Sequence, residues 1–473
     1  MKTKIESVVI HAALALATLS TLTPQLSTLF AAPTVTQIAG GWNHSLFVES
    51  DGSLWGMGDN TYGQLGLGPA ITNVNVPQTL TNGVITVSAG GYHSLFIESG
   101  DSLWAMGYNG YGELGDGTYN TQYLPEKIAS SQLQVIAAGG YHSLFGKFHA
   151  PLGPGSLWAM GWNYYGQLGD GTTTTTNGPA EILATTFFGN PAVTAVAAGA
   201  FHSLFIEPGG SLWAMGYDYF GQLGDGNSWY YTGITYQDTP QEIVSSNVTA
   251  IAAGYNASLF IKSDGSLWGM GNNGKGQLGP AADPYAQAVP IEIVASNVTA
   301  VAEGNTFSLF IMSDGSLWGM GYNDYGQLGI GPALLSTNIP VEIVASNVVA
   351  VAAEFDHSLF IKSDGSLWAM GLNASGQLGD GTYTTRYYPE QIVPRRQPVI
   401  TTVSLAGPYL VLNGNNGQPY RPYYTLISTN LGLSFSQWTA VATNTCDANG
   451  NFSVTNPITL GAPQQFYVIQ MQN

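Results

Sequence analysis

The chain has 473 residues, of which 8% are charged and 44% apolar, and its formal charge is −18. That apolar content excludes a solvated coil, and 61 glycines without a collagen period exclude a triple-helical fibre. An acidic chain with 11 Lys and Arg in all excludes nucleic acid as a partner, because phosphate binding needs clustered cations.

At the N-terminus, Lys2 and Lys4 precede an apolar stretch over residues 8–22, and Ala31 and Ala32 stand before Pro33. This pattern predicts a secretory signal peptide over 1–32, although Leu29 and Phe30 depart from the small residues preferred at a cleavage site. Thr18, Ser20, Thr21, Thr23 and Pro24 shorten the apolar run below the ~20 residues that span a bilayer, so no transmembrane segment is expected in the mature chain. A single cysteine, Cys446, excludes an intrachain disulfide.

From residue 34 to residue 393 one unit recurs seven times. A Ser-Leu-Trp-small-Met-Gly hexapeptide places Trp55, Trp104, Trp158, Trp213, Trp268, Trp318 and Trp368 at 49 to 55 residue intervals. Ser-Leu-Phe precedes each of them, and Gly-Gln-Leu-Gly or Gly-Glu-Leu-Gly follows. Each copy reads as four strands: an Ala/Val-rich run such as 248–253, then 258–262, then 266–270, then a Pro-x-x-Ile segment such as 290–293. Ser-Asp-Gly or a variant joins the second strand to the third as a hairpin.

Leu-Phe-Ile and Leu-Trp-Ala-Met are apolar on both faces, so both faces must be covered. Blades stacked around an axis do this, and the fold class is all-β: a seven-bladed β-propeller stabilised by closure. A tryptophan is expected to bury itself at each blade interface, and the Gly or Ala that follows it to leave room for the neighbouring blade. Arg395 and Arg396 among prolines mark a linker over 394–402, and 403–473 read as a small β-sandwich-like C-terminal module.

His44, His93, His142, His202 and His357 occupy one repeat position, which invites a metal or acid–base reading. Ala257 and Phe307 fill the same position in the other two copies, so it reads as a packing position with a satisfied hydrogen bond. Asn60, Asn109, Asn163, Asn273, Asn323 and Asn373, with Asp218 in the fourth copy, read as turn residues. Gly-Gln-Leu-Gly lacks the lysine and helix of a phosphate loop, and Asp116, Asp170, Asp225 and Asp380 lack calcium-loop spacing. No cofactor, metal or catalytic residue is assigned.

What differs between copies is the loop after Gly-Gln-Leu-Gly, which is aromatic: Tyr119 and Tyr123; Trp229, Tyr230, Tyr231 and Tyr236; Tyr285; Tyr383, Tyr387 and Tyr388. Loops on a rigid scaffold carry function, so Trp229, Tyr230, Tyr231, Tyr236, Tyr383, Tyr387 and Tyr388 are the candidate binding residues. The third copy adds a longer hairpin over 146–155 and an extension through Phe187 and Phe188.

The string Ala-Gly-Gly-Tyr-His-Ser-Leu-Phe, then Asp-Gly-Ser-Leu-Trp, then Met-Gly-Tyr-Asn-x-Tyr-Gly-Gln-Leu-Gly, resembles the repeat of the regulator of chromosome condensation family. The resemblance implies a seven-bladed propeller whose members work through their loops. They include a nucleotide exchange factor for a small GTPase, a plant ultraviolet-B photoreceptor and a secreted bacterial inhibitor of β-lactamases. A signal peptide on an acidic body argues against nuclear exchange. Against photoreception, Trp42, Trp162, Trp229 and Trp438, the tryptophans outside the repeat position, include no two adjacent in sequence. The reading is therefore a secreted bacterial, non-enzymatic scaffold, extracellular or at the cell surface, that binds a protein or glycan. A carbohydrate-active enzyme, which would need two carboxylates over the axis, and a purely structural surface protein are the alternatives.

Overall fold

A computed structural model describes residues 8–12, 33–130, 132–147, 155–183, 193–229, 231–280, 283, 285–392, 399–406, 409–415, 422–428, 437–445, 451–457 and 465–471. The chain divides into two units, Thr34–Ile392 and the two terminal segments Met1–Pro33 and Val393–Asn473.

The first unit is seven four-stranded antiparallel sheets, each built from four consecutive strands. Blade 1 runs from the inner strand Val35–Gly40 through His44–Glu49 and Leu54–Asp59 to the outer strand Asn73–Thr81. The other blades repeat this order, so no strand is exchanged at closure. The second strand is apolar on both faces and is buried throughout, for example over His44–Glu49. Gly52, at φ +82°, makes the turn between the second and third strands of blade 1.

Blade interfaces hold the core. Leu46, Leu54 and Leu65 of blade 1 pack against Phe96 and Met106 of blade 2, and Leu95, Leu103 and Leu114 of blade 2 against Phe145 and Met160 of blade 3. Burying each such side chain contributes about 1.5–3 kcal/mol. The ring closes in the same way, with Val35, Phe47 and Met57 of blade 1 against Leu359, Ile361 and Leu367 of blade 7.

Two expectations about the third strand change here. The repeated tryptophans are only partly buried: Trp55 stacks on Phe47 at 6.0 Å, and its indole N–H donates to Glu49 and Ser53. An indole has a polar edge that water or a hydroxyl must satisfy, so Phe, Met and Leu take the dry interface and Trp roofs it. Lys147, Lys262 and Lys362 lie over Trp158, Trp268 and Trp368 at 4.6, 3.9 and 4.2 Å. Where the residue after Trp is Gly56, Gly269 or Gly319, it makes room for leucines and isoleucines of its own blade; a Cβ on Gly56 would meet Leu80, Leu65 and Leu46 within 3.0 Å.

Around the axis, backbone amides form an arc from blade to blade. Gly91 donates to Gly139 O (3.0 Å), Gly140 to Gly199 O (3.1 Å), Ala200 to Gly254 O (3.1 Å) and Tyr255 to Gly304 O (3.2 Å). Glycine is needed here by space, since a Cβ on Gly199 would lie 2.4 Å from Gly254 O. The seventh copy has Glu354 at this position.

The second unit has a sheet of Val8–Ala12, Gln465–Met471, Pro422–Ser428 and Thr439–Thr445, and a sheet of Val399–Ala406, Tyr409–Asn415 and Phe452–Pro457. Tyr423, buried, donates its hydroxyl to Ser453 O (2.8 Å) and packs on Phe452, which joins the two sheets as a sandwich. Residues 399–402, assigned to the linker by composition, open a strand because their apolar run pairs with 413–415. Val8–Ala12, inside the predicted signal, pairs with the edge of Gln465–Met471. The linker residues 394–398 and the extensions at 148–154 and at Phe187 and Phe188 lie outside the described residues.

Candidate functional site

The histidines form seams between blades. His44 Nε2 meets Ser94 Oγ, His93 meets Ser143, His142 meets Ser203, His202 meets Ser258 and His357 meets Ser45, all at 2.8–2.9 Å. Each serine donates its one O–H to a backbone carbonyl of the preceding blade, as Ser94 does to Gln64 O (2.7 Å). The serine must then accept, so each histidine is the neutral tautomer with its proton on Nε2. Burial pushes His44, His93, His142 and His202 down to about 3 and His357 to about 4, with neighbouring histidines adding a smaller repulsion at His44 and His142.

The two exceptions are handled differently. Where blade 5 has Ala257, the serine of the next blade, Ser308, meets the buried Glu303 at 2.5 Å and donates to Gln277 O at 2.5 Å. With that O–H spent, Glu303 must be protonated and donate, replacing the missing imidazole; burial raises its pKa well above the ordinary range. Where blade 6 has Phe307, the ring takes the imidazole's place and Ser358 keeps its bond to Gln327 O. Glu303→Gln, which keeps an N–H donor, should leave stability nearly unchanged, whereas Glu303→Ala should cost on the order of 1 kcal/mol. Adding Ala257→His to Glu303→Ala should recover the loss in urea unfolding, and a further fall would refute the exchange of roles.

The predicted turn residues are turn residues. Asn60 Oδ1 accepts from Leu65 N (2.9 Å), and Asp218 does the same for Leu223 N (3.0 Å). Asp218 receives no donated hydrogen bond at its buried Oδ2, and burial pushes its carboxyl up to about 8, with the charge of Asp225 and a hydrogen bond to it adding to the rise. Asp116 and Asp380 accept from Thr118 and Thr382 N–H groups, and Asp380 also pairs with Arg386.

One end of the propeller carries a network of aromatic rings. The turn between the first and second strands and the loop between the third and fourth emerge at the same end of each antiparallel blade. Trp42 contacts Tyr92 (5.0 Å), Tyr141 (5.4 Å), Phe355 (5.6 Å) and Tyr255 (6.1 Å) over the axis. From there rings continue outward without a break: Tyr92 to Tyr62 and Tyr108, Tyr141 to Tyr111 and Trp162, Phe201 to Tyr165 and Tyr217. Tyr217 meets Tyr219, which stacks on Trp229 at 5.2 Å. Tyr164 is 64% and Trp229 50% exposed, and Tyr62 and Tyr111 are also exposed.

Trp229 thus lies at the outer end of this network. Tyr231 donates its hydroxyl to Asp283 of the next blade, and Tyr236 is exposed at the start of an outer strand. Tyr383 and Tyr388 are exposed on blade 7; Tyr387 and Tyr388 belong to its outer strand, against Gly326 and Gly331 of blade 6. None of these three joins the ring network among the described residues, and Tyr230 lies outside them. The sequence separation of the extra tryptophans also misleads, since Trp42, Trp162 and Trp229 share one network through Tyr141, Phe201, Tyr217 and Tyr219.

The missed residues were visible in the repeat. The aromatic residue stands two before the serine in copies 2, 3 and 4 (Tyr92, Tyr141, Phe201) and three before it in copies 1, 5 and 7 (Trp42, Tyr255, Phe355). Read as consensus, Gly-Gly-Tyr-His-Ser hid that shift.

Among curated proteins, the chain is 30% identical over 125 residues to the ultraviolet-B receptor UVR8 of Arabidopsis thaliana and 33% identical over 131 residues to protein RCC2 of Mus musculus. These matches cover 26% and 27% of this chain and only 27% and 24% of those proteins. Human WBSCR16 has a similar fold, with TM-score 0.64 and 23% identity over 74% of this chain and 95% of that one. Prp20p from Saccharomyces cerevisiae is also similar in fold, with TM-score 0.62 and 21% identity over 78% of this chain and 93% of that one. The regulator of chromosome condensation (RCC1) repeat matches residues 51–97, 101–145, 154–206, 209–261, 264–311, 314–361 and 364–407. With that repeat matched in seven consecutive segments across most of its length, the chain belongs to the regulator of chromosome condensation repeat family.

Proposed function

We propose that this chain is a secreted, non-enzymatic binding scaffold that receives a protein or glycan on the aromatic end of its propeller. The observation that carries the reading is the unbroken network of rings from Trp42 to Trp229, with Tyr62, Tyr111, Tyr164 and Trp229 exposed. A contiguous aromatic patch of this kind marks an interaction surface, because large rigid rings give contact area at small entropic cost. Export is compatible with the architecture, since all seven blades come from residues 34–392 and loss of 1–32 leaves each of them whole.

The test is capture from glycan arrays and cell-surface extracts with Tyr164→Ser and Trp229→Ser together. Both side chains are exposed, so the thermal midpoint should move by no more than about 2 °C while capture falls about tenfold. Intact capture by the folded variant would reject the face.

A further inference from the structure

At the centre of the aromatic end, Trp42, Tyr255 and Phe355, packed on one another, line an axial cavity of about 20 Å³ together with Glu354 and Asn305. Six copies have glycine where the seventh has Glu354, so a carboxylate has been placed on the axis of an otherwise side-chain-free ring. Its stem lies against Gly40 of blade 1, and burial holds its pKa well above the ordinary range, with only the Phe355 backbone N–H opposing. A cation bound beside it would favour the ionised carboxylate over the neutral acid that burial imposes.

The surrounding charges favour the same ligand. Asp59, at the end of a third strand, and Asp324 and Asp356, in loops, stand at this end, and Asp356 is buried and pushed up to about 6 by burial and by Asp324. Among the described residues, the cations of this end are Lys275, already over Tyr322 at 5.0 Å, and Arg386, paired with Asp380. Lys147, Lys262 and Lys362 lie at the other ends of the second strands, over the repeated tryptophans. Aromatic faces around a carboxylate attract an ammonium through both the ring quadrupole and the charge.

We infer that the aromatic end binds a lysine-bearing polypeptide segment, one lysine of which reaches the axial cavity lined by Trp42, Tyr255 and Phe355, parting their ring contacts, and pairs with Glu354. This rests on the binding face proposed above and names its partner. The neighbouring residues of the segment lie across Tyr92, Tyr141 and Tyr111.

The experiment uses the full chain and three probes: a lysine-rich peptide, the same peptide fully acetylated, and a neutral oligosaccharide. The unmodified peptide should bind at least about tenfold more tightly than the acetylated one. Glu354→Gly, the residue six copies already have, should weaken it about tenfold with the thermal midpoint unchanged or raised. Glu126→Gln, on the exposed outer strand of blade 2, removes the same charge elsewhere and should change binding less than about twofold. Failure of the lysine peptide to bind, equal binding of its acetylated form, or intact binding by folded Glu354→Gly would each overturn the inference. If the oligosaccharide binds instead and Tyr164→Ser abolishes it, the face stands and the cation falls.

Discussion

Unfolding free energy measured against pH should peak between about pH 4.5 and 6.5 and fall on both sides. The acid side belongs to the histidines. A base whose folded pKa lies below its unfolded value contributes stability that is present above the unfolded 6.5 and lost as pH falls toward the folded value of about 3. The alkaline side belongs to buried acids. Glu113 and Asp218, pushed up to about 8 by burial, contribute stability that is present below their unfolded pKa and lost as pH rises toward 8. Glu303 and Glu354 act in the same direction.

Between pH 4.5 and 6.5 the two sets oppose each other, which produces the plateau. From 4.5 down to 3 each of His44, His93, His142 and His202 should cost about 2 kcal/mol, and His357, at about 4, less than half of that, and together they rival a total stability of ~5–15 kcal/mol. Asp116 and Asp380, held low by hydrogen bonds from Thr118 and Thr382 and by Gln122 and Arg386, add to the acid loss only below 3.8. Urea unfolding at half-unit pH steps reads both limbs. Replacing His93 and His142 by Phe, the residue found at 307, should cut the acid slope by about two fifths and leave the alkaline slope alone. A stability that rises steadily from pH 3 to pH 8, or an acid slope unmoved in that variant, would refute the assignment.

Asp218→Asn should stabilise the protein at pH 8 by about 1–3 kcal/mol, the cost of a buried acceptor left without a donor. The six other copies have Asn here, and Asn163 shows what the amide adds: its Nδ2 donates to Asp170 Oδ1 at 3.1 Å, the counterpart of Asp225. At pH 4 the wild-type carboxyl is protonated in the folded state, so the gap should shrink. Thermal midpoints at the two pH values measure it, with a rise of a few degrees expected at pH 8 alone. An equal gap at both would mean that packing, not ionisation, separates the two side chains.

Much of the candidate site was written in the repeat yet unreadable as a site. Tyr62 and Tyr165 precede Gly-Gln-Leu-Gly and Tyr111 Gly-Glu-Leu-Gly in their copies, and Tyr108 and Trp162 follow Met-Gly, so each reads singly as consensus. Their contacts run between copies: Trp42 touches Tyr255 and Phe355, far along the chain. Trp229 stands out by loop composition, because a cluster within one copy is a local signal, and its stack on Tyr219 joins it to the rings. Loop composition also selects Tyr383, exposed in the loop of blade 7, and Tyr387 and Tyr388, which belong to its outer strand against blade 6.

The amino-acid sequence by itself determined the seven copies, their four strands, the Asp-Gly hairpins, the Asn-centred turns and the packing role of the histidine position. All of these are set within about 50 residues by local geometry and by an apolar pattern that demands cover on both faces. Only the tertiary structure decided what crosses from blade to blade. Ser45 meets His357 across 312 residues, Glu303 substitutes for the histidine absent at Ala257, and Glu354 stands alone on an axis where six copies have glycine. Each of these depends on closing the ring, which sets every copy against its neighbours and the last against the first, and a repeat read one copy at a time carries no record of which residues then face each other.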